Sequence, residues 1–75
     1  MPFMTVHQPV EISRVELTRR EHQVLEYTAQ GLTNAQIARE LHVTTHAVKF
    51  HLLAIYRKLG VANRTQAVVR YLSDR

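Results

Sequence analysis

From Leu17 onward, apolar residues recur every three or four positions, the period of helices that each bury one face. Four such stretches can be read. The first runs from about Arg19 to Gln30, with Val24, Leu25, Thr28 and Ala29 inward. The second runs from about Asn34 to Leu41, with Ile37, Ala38 and Leu41 inward. In the third, capped by Thr44 and ending near Leu59, Val48, Leu52, Ile55 and Leu59 share one side. The fourth, from about Arg64 to Leu72, has Ala67, Val68, Tyr71 and Leu72 as its core stripe. No alternation of period two competes beyond a weak hint in the first fifteen residues. The pattern predicts an all-α fold, with residues 1–16 as a flexible or loosely docked arm and 17–75 as the folded domain.

Short polar residues and glycines mark the helix ends. Thr18 with Glu21, and Thr33 with Gln36, have capping-box spacing, in which each side chain serves the other residue's backbone amide. Thr44 suits the N-cap of the third helix, and Asn63 with Gln66 that of the fourth. The only two glycines, Gly31 and Gly60, each follow an amphipathic stretch, where a left-handed residue ends a helix. Between the second and third helices, His42, Val43 and Thr44 leave room only for a tight turn, with His42 where glycine is often found. A small residue at Ala38, Val43 in the turn and β-branched Val48 suit the close crossing of a helix-turn-helix.

The third helix has a second face. His46, Lys49, Phe50, Leu53 and Arg57 lie together opposite its apolar stripe, a mixture of cationic, polar and apolar groups that faces out. A helix held from behind with a basic forward face fits the major groove of DNA. Charge sharpens that picture. The 75-residue chain carries a formal net charge of +4. Residues 1–40 hold Arg14, Arg19, Arg20 and Arg39 against Glu11, Glu16, Glu21, Glu26 and Glu40. Residues 41–75 hold Lys49, Arg57, Lys58, Arg64, Arg70 and Arg75 against Asp74 alone. The asymmetry favours a polyanionic partner over a merely solvated basic face.

Other chemistries find little support. The chain has no cysteine, so a disulfide framework or zinc ribbon is unavailable, and a reducing compartment such as the cytoplasm is expected. His42 and His46 are separated by a turn and a cap, His46 and His51 lie on different sides of one helix, and no H-E-x-x-H motif occurs; no metal is expected. Glycine-rich phosphate loops and nucleophile elbows are missing, so the chain reads as a binding domain and not an enzyme, with no cofactor or small-molecule ligand. No apolar run reaches the roughly 18 residues of a membrane span.

The segment LTRREHQVLEYTAQGLTNAQIARELHVTTHAVKFHLLAIYRKLGVANRTQAV, Leu17 to Val68, resembles the LuxR/FixJ/GerE-type DNA-binding domain of bacterial transcription regulators. The pieces that carry the resemblance are LTRRE, the VL pair, LTNAQIA, AVKFH and the KL before Gly60, all in register without gaps. Ala47 departs from the threonine usual there, Thr33 and Thr44 replace commoner serines, and Leu53 stands where many relatives carry a polar or basic residue. The resemblance implies four helices, the third entering the major groove of double-stranded DNA and the fourth supporting a homodimer.

On these grounds Thr45, His46, Lys49, Phe50 and Leu53 are candidate base-reading residues, with Lys49 matching the lysine of the family motif. Phosphate contacts are expected from Thr33, Asn34 and Thr44 at helix N-termini and from Arg57, Lys58 and Arg64. Arg64 has an internal alternative, Glu21 or a helix terminus. Phe50 and Leu53 admit three readings: contact with thymine methyl groups, partial burial of Leu53 in an irregular helix, or a protein-binding patch. Val69, with Arg70 and Leu72, is the expected dimer contact. The competing function is a protein-interaction module that binds another regulator or RNA polymerase through Phe50, Leu53 and Tyr56. The opening Met1 leans toward a complete small protein, although an excised output domain could begin the same way.

Overall fold

The computed structural model describes residues 16–73, and the expected arm at residues 1–16 lies outside them apart from Glu16. The described residues form four helices and no strand: α1 (Arg19–Ala29), α2 (Asn34–Leu41), α3 (Thr45–Leu59) and α4 (Arg64–Ser73).

Each helix starts where its cap predicts. The Thr18 hydroxyl accepts from Glu21 N–H at 3.0 Å, while the Glu21 carboxylate accepts from Thr18 N–H at 2.9 Å. Thr33 and Gln36 repeat the exchange at 3.1 and 2.8 Å. The Thr44 hydroxyl accepts from Ala47 N–H at 3.0 Å. At α4 the pattern is shifted: Asn63 accepts from Gln66 N–H at 2.9 Å, but Gln66 reaches past it to Ala62 N–H at 2.7 Å. Glycines end α1 and α3, with φ of 94° at Gly31 and 69° at Gly60. At the end of α2, His42 itself takes the left-handed conformation, φ 58° and ψ 44°, and the chain turns through a Val43 N–H to Ala38 C=O bond of 3.0 Å.

The core joins all four helices. Val24 and Leu25 of α1, Ile37 and Ala38 of α2, Val48, Leu52, Ile55 and Leu59 of α3, and Ala67 of α4 are buried. Thr28 is buried too, its hydroxyl donating to Val24 C=O at 2.7 Å. Leu41 and Tyr71 pack partly buried around this cluster. Three expected inward residues stand off this core: Ala29 and Val68 are only half-buried, and Leu72 is 50% exposed. Ala67 and Tyr71 sit one turn apart and define the inward line of α4, and Leu72, five positions after Ala67, is rotated well off it.

Candidate nucleic-acid interface

The interface is built on α3, which packs against α1, α2 and α4 along one side. Its other side is open. Thr45, His46, Lys49, Phe50, Leu53 and Arg57 are all exposed, Phe50 by 67% and Leu53 by 58%. At about 100° per residue, Leu53 falls between Lys49 and Phe50 on the face, with His46 and Arg57 between Leu53 and Phe50. The Phe50 ring meets the His51 ring edge-on, centroids 6.4 Å apart. Exposure of Leu53 removes the reading in which it is partly buried.

Tyr56 is less open than these residues. It packs partly buried against the core, and burial raises its hydroxyl pKa, an effect the nearby Arg64 charge partly offsets. Of the expected protein-binding patch, Phe50 and Leu53 are exposed and Tyr56, three positions after Leu53, is half-buried.

The basic residues divide into two groups. The Lys49 and Arg57 side chains are exposed and form no hydrogen bond or ion pair among the described residues. Lys58 and Arg64, both expected on phosphates, are tied inward. The Lys58 ammonium donates to the Glu21 carboxylate at 2.8 Å and to Glu16 C=O at 3.1 Å, leaving one of its three protons. Arg64 donates to Leu32 C=O and, at 2.7 Å, to Asn34 Oδ1, which pins the start of α4 to the loop before α2. The internal contact of Arg64 is made at a helix terminus, with Asn34 at the start of α2 and with Leu32 C=O just before it, and not with Glu21. Asn34 is half-buried, and Thr33 and Thr44 lie exposed at the N-termini of α2 and α3.

Glu21 is the one structural anchor that spacing shows only in part. Its capping role is visible, but its partner Lys58 lies 37 residues away. Burial by itself would raise the Glu21 carboxyl pKa. The hydrogen bonds from Lys58 and Thr18 N–H, with the Lys58 charge, outweigh that and hold it below its ordinary value. Arg20 is similarly engaged across the fold, reaching Leu41 C=O at 3.4 Å.

On α4, Val69 is 57% exposed and Leu72 lies beside it on the outward side. An open groove of about 320 Å³, lined by Val61, Thr65, Gln66, Val69, Arg70 and Ser73, runs along this surface. Arg70 is half-buried and donates to Leu59 C=O at 3.1 Å, meeting the negative end of the α3 dipole. Among the described residues no three histidines, aspartates or glutamates gather as metal ligands, and no helix is long and apolar enough to cross a membrane.

Residues 15–71 match the model of the family described as bacterial regulatory proteins, luxR family. The chain belongs to that family. It is 43% identical over 77 residues to the probable transcriptional regulatory protein SgaR of Hyphomicrobium methylovorum, a match covering 97% of this chain and 35% of the relative. It is 46% identical over 66 residues to the HTH-type quorum sensing-dependent transcriptional regulator RpaR of Rhodopseudomonas palustris, covering 88% and 27%. A third relative, the HTH-type transcriptional regulator AlkS of Ectopseudomonas oleovorans, is 45% identical over 53 residues, covering 71% and 6%. The chain thus spans about a third or less of the length of these relatives. What it shares with them is a luxR-family helix-turn-helix domain, the DNA-binding unit of transcription regulators.

Proposed function

We propose that this luxR-family domain binds double-stranded DNA sequence-specifically in bacterial transcription regulation, with α3 in the major groove and two copies paired through α4. The observation that carries the reading is the two-sidedness of α3: Val48, Leu52, Ile55 and Leu59 are buried behind it while every outward residue from Thr45 to Arg57 named above is exposed. The major groove is about 12 Å wide and admits one helix in that posture.

In this pose Lys49 donates to guanine O6 and N7, and Thr45 and His46 meet base edges from the first turn of α3. Thr33, Asn34 and Thr44 bring helix N-termini to phosphates, joined by Arg57. Lys58 and Arg64 serve chiefly by orienting α3 and α2, with at most a residual donor for phosphate. Val69, Arg70 and Leu72 line the contact with the second copy, which places two α3 helices in successive major grooves about 10 bp apart. The reading needs no cofactor, ligand or catalytic step, and it places the domain in the cytoplasm with the chromosome.

Selection of bound duplexes from a random DNA pool tests the function. A recurring motif should emerge, bound less tightly as salt rises, in proportion to the phosphates neutralised. Lys49→Ala should weaken binding to the selected duplex by about 1–3 kcal/mol and relax the preference at one base pair. Recovery of no enriched motif, with salt-independent retention of DNA, would sink the reading.

A further inference from the structure

Phe50 and Leu53 are the two most exposed large apolar side chains among the described residues, and both lie on the forward face of α3. They are three positions apart, so they stand side by side about one helical turn along, with Lys49 next to Leu53 on one side and Arg57 one turn beyond Leu53. Neither supports the core, which is complete behind them. The Phe50 ring meets the His51 ring edge-on and otherwise stands open, 67% exposed.

Resting on the placement of α3 in the major groove, we propose that Phe50 and Leu53 form a reader of pyrimidine C5-methyl groups, so that the domain recognises the methyl of thymine and accepts 5-methylcytosine in its place. The cations around the pair select the occupant. Lys49 and Arg57 draw a polyanion to this face, and the apolar feature a DNA duplex offers in the major groove is the C5-methyl group. Hydrogen-bond donors cannot sense that methyl, whereas an apolar side chain covering it removes both from water. One methyl so covered corresponds to about a fourfold change in affinity. Thymine and 5-methylcytosine carry the methyl at the same ring carbon, so the pair responds to base methylation as well as to sequence. Lys49, beside Leu53, reads an adjacent guanine independently of the methyl.

The test uses the 75-residue chain and duplexes it selects from a random pool, resynthesised with deoxyuridine replacing thymidine one position at a time. This exchange deletes only the methyl and keeps base pairing. The expected result is a loss of about fourfold at one or two positions per half-site and none elsewhere. Where cytosine is placed at a sensitive position, 5-methylcytosine should bind more tightly than cytosine by a similar factor. Phe50→Ala and Leu53→Ala, whose side chains are exposed and whose folding is checked by circular dichroism, should each bind the thymidine and deoxyuridine versions of its own position equally. If deoxyuridine is tolerated everywhere while Lys49→Ala still weakens binding, methyl reading is overturned and the DNA function stands. Enrichment of no duplex at all overturns both. Sensitivity to deoxyuridine that persists unchanged in both alanine variants assigns the effect to DNA shape and overturns the role of this pair.

Discussion

The Glu21 carboxylate answers two demands at once: it closes the capping box of α1 and it accepts the Lys58 ammonium from the far end of α3. Because its pKa in the folded chain lies below its ordinary value, its stabilising effect is full above the unfolded carboxylate pKa, about 4.3, and is lost as pH falls through the folded value. Glu21→Gln keeps a capping acceptor but removes the charge. It should cost about 1 kcal/mol at neutral pH, since Lys58 is partly exposed and the pair is screened. Thermal melts of the two proteins should converge as pH falls from neutral through the lowered folded value of Glu21. Parallel curves down to pH 2 would mean the charge pairing contributes nothing. His42 supplies the opposite case, a residue in a conformation that its side chain resists. At φ 58°, His42→Gly should raise stability by about 0.5–1 kcal/mol, read as a higher melting temperature. At this scale the sequence was half legible. The cap at Glu21 shows in a three-residue spacing, and the glycine-like position of His42 shows in the turn. The pairs Glu21–Lys58 and Arg64–Asn34 do not, because any of several carboxylates, amides and carbonyls satisfies a cation until the chain's path chooses one.

Helix phase decides which face of α3 meets the core, and it is strongly written where apolar residues recur over three turns. Val48 is fully buried in the core, so Val48→Asp places an unpaired charge there. The expected cost is about 3–5 kcal/mol, enough to abolish cooperative melting in a domain this small. Phe50→Asp, two residues on but on the exposed face, should stay within about 0.5 kcal/mol of the parent. Equal destabilisation of both, followed by circular dichroism, would contradict the orientation of α3. The same periodicity is weaker in α4. Ala67, Val68, Tyr71 and Leu72 offer two overlapping apolar lines, and the sequence cannot rank them because alanine gives little hydrophobic signal. Packing against α1, where Tyr71 meets His22 edge-on at 6.5 Å, selects the Ala67–Tyr71 line and turns Leu72 outward. The outward face of α3 was legible for the same reason as its core face: fifteen helical residues fix both at once.

Across the whole molecule, the charge contrast between the two halves of the chain overstates how many cationic side chains turn toward a partner. Lys58 of the basic half is paired with Glu21 of the acidic half, and Arg64 and Arg70 donate to carbonyls within the fold. What remains on the forward face of α3 is Lys49 and Arg57, so one domain alone should bind DNA weakly. Pairing two domains on one duplex compensates, because the second binding event becomes intramolecular. The contact proposed for that pairing is a single face of a ten-residue helix around Val69 and the open groove beside it, a small patch against the roughly 1,000 Å² expected of a stable interface. The isolated chain should therefore sediment as a monomer at micromolar concentration and pair only on DNA. On two correctly spaced half-sites the parent should bind cooperatively, by about tenfold over independent binding, a coupling of about 1.4 kcal/mol. Val69→Asp should abolish that gain while leaving affinity for a single half-site unchanged, because Val69 is exposed on α4, away from the forward face of α3. Adding half a helical turn, about 5 bp, between the half-sites should remove the gain from the parent protein as well, since the two copies then face opposite sides of the duplex. Cooperativity that survives Val69→Asp but not the 5 bp insertion would keep the paired arrangement and move the contact off α4.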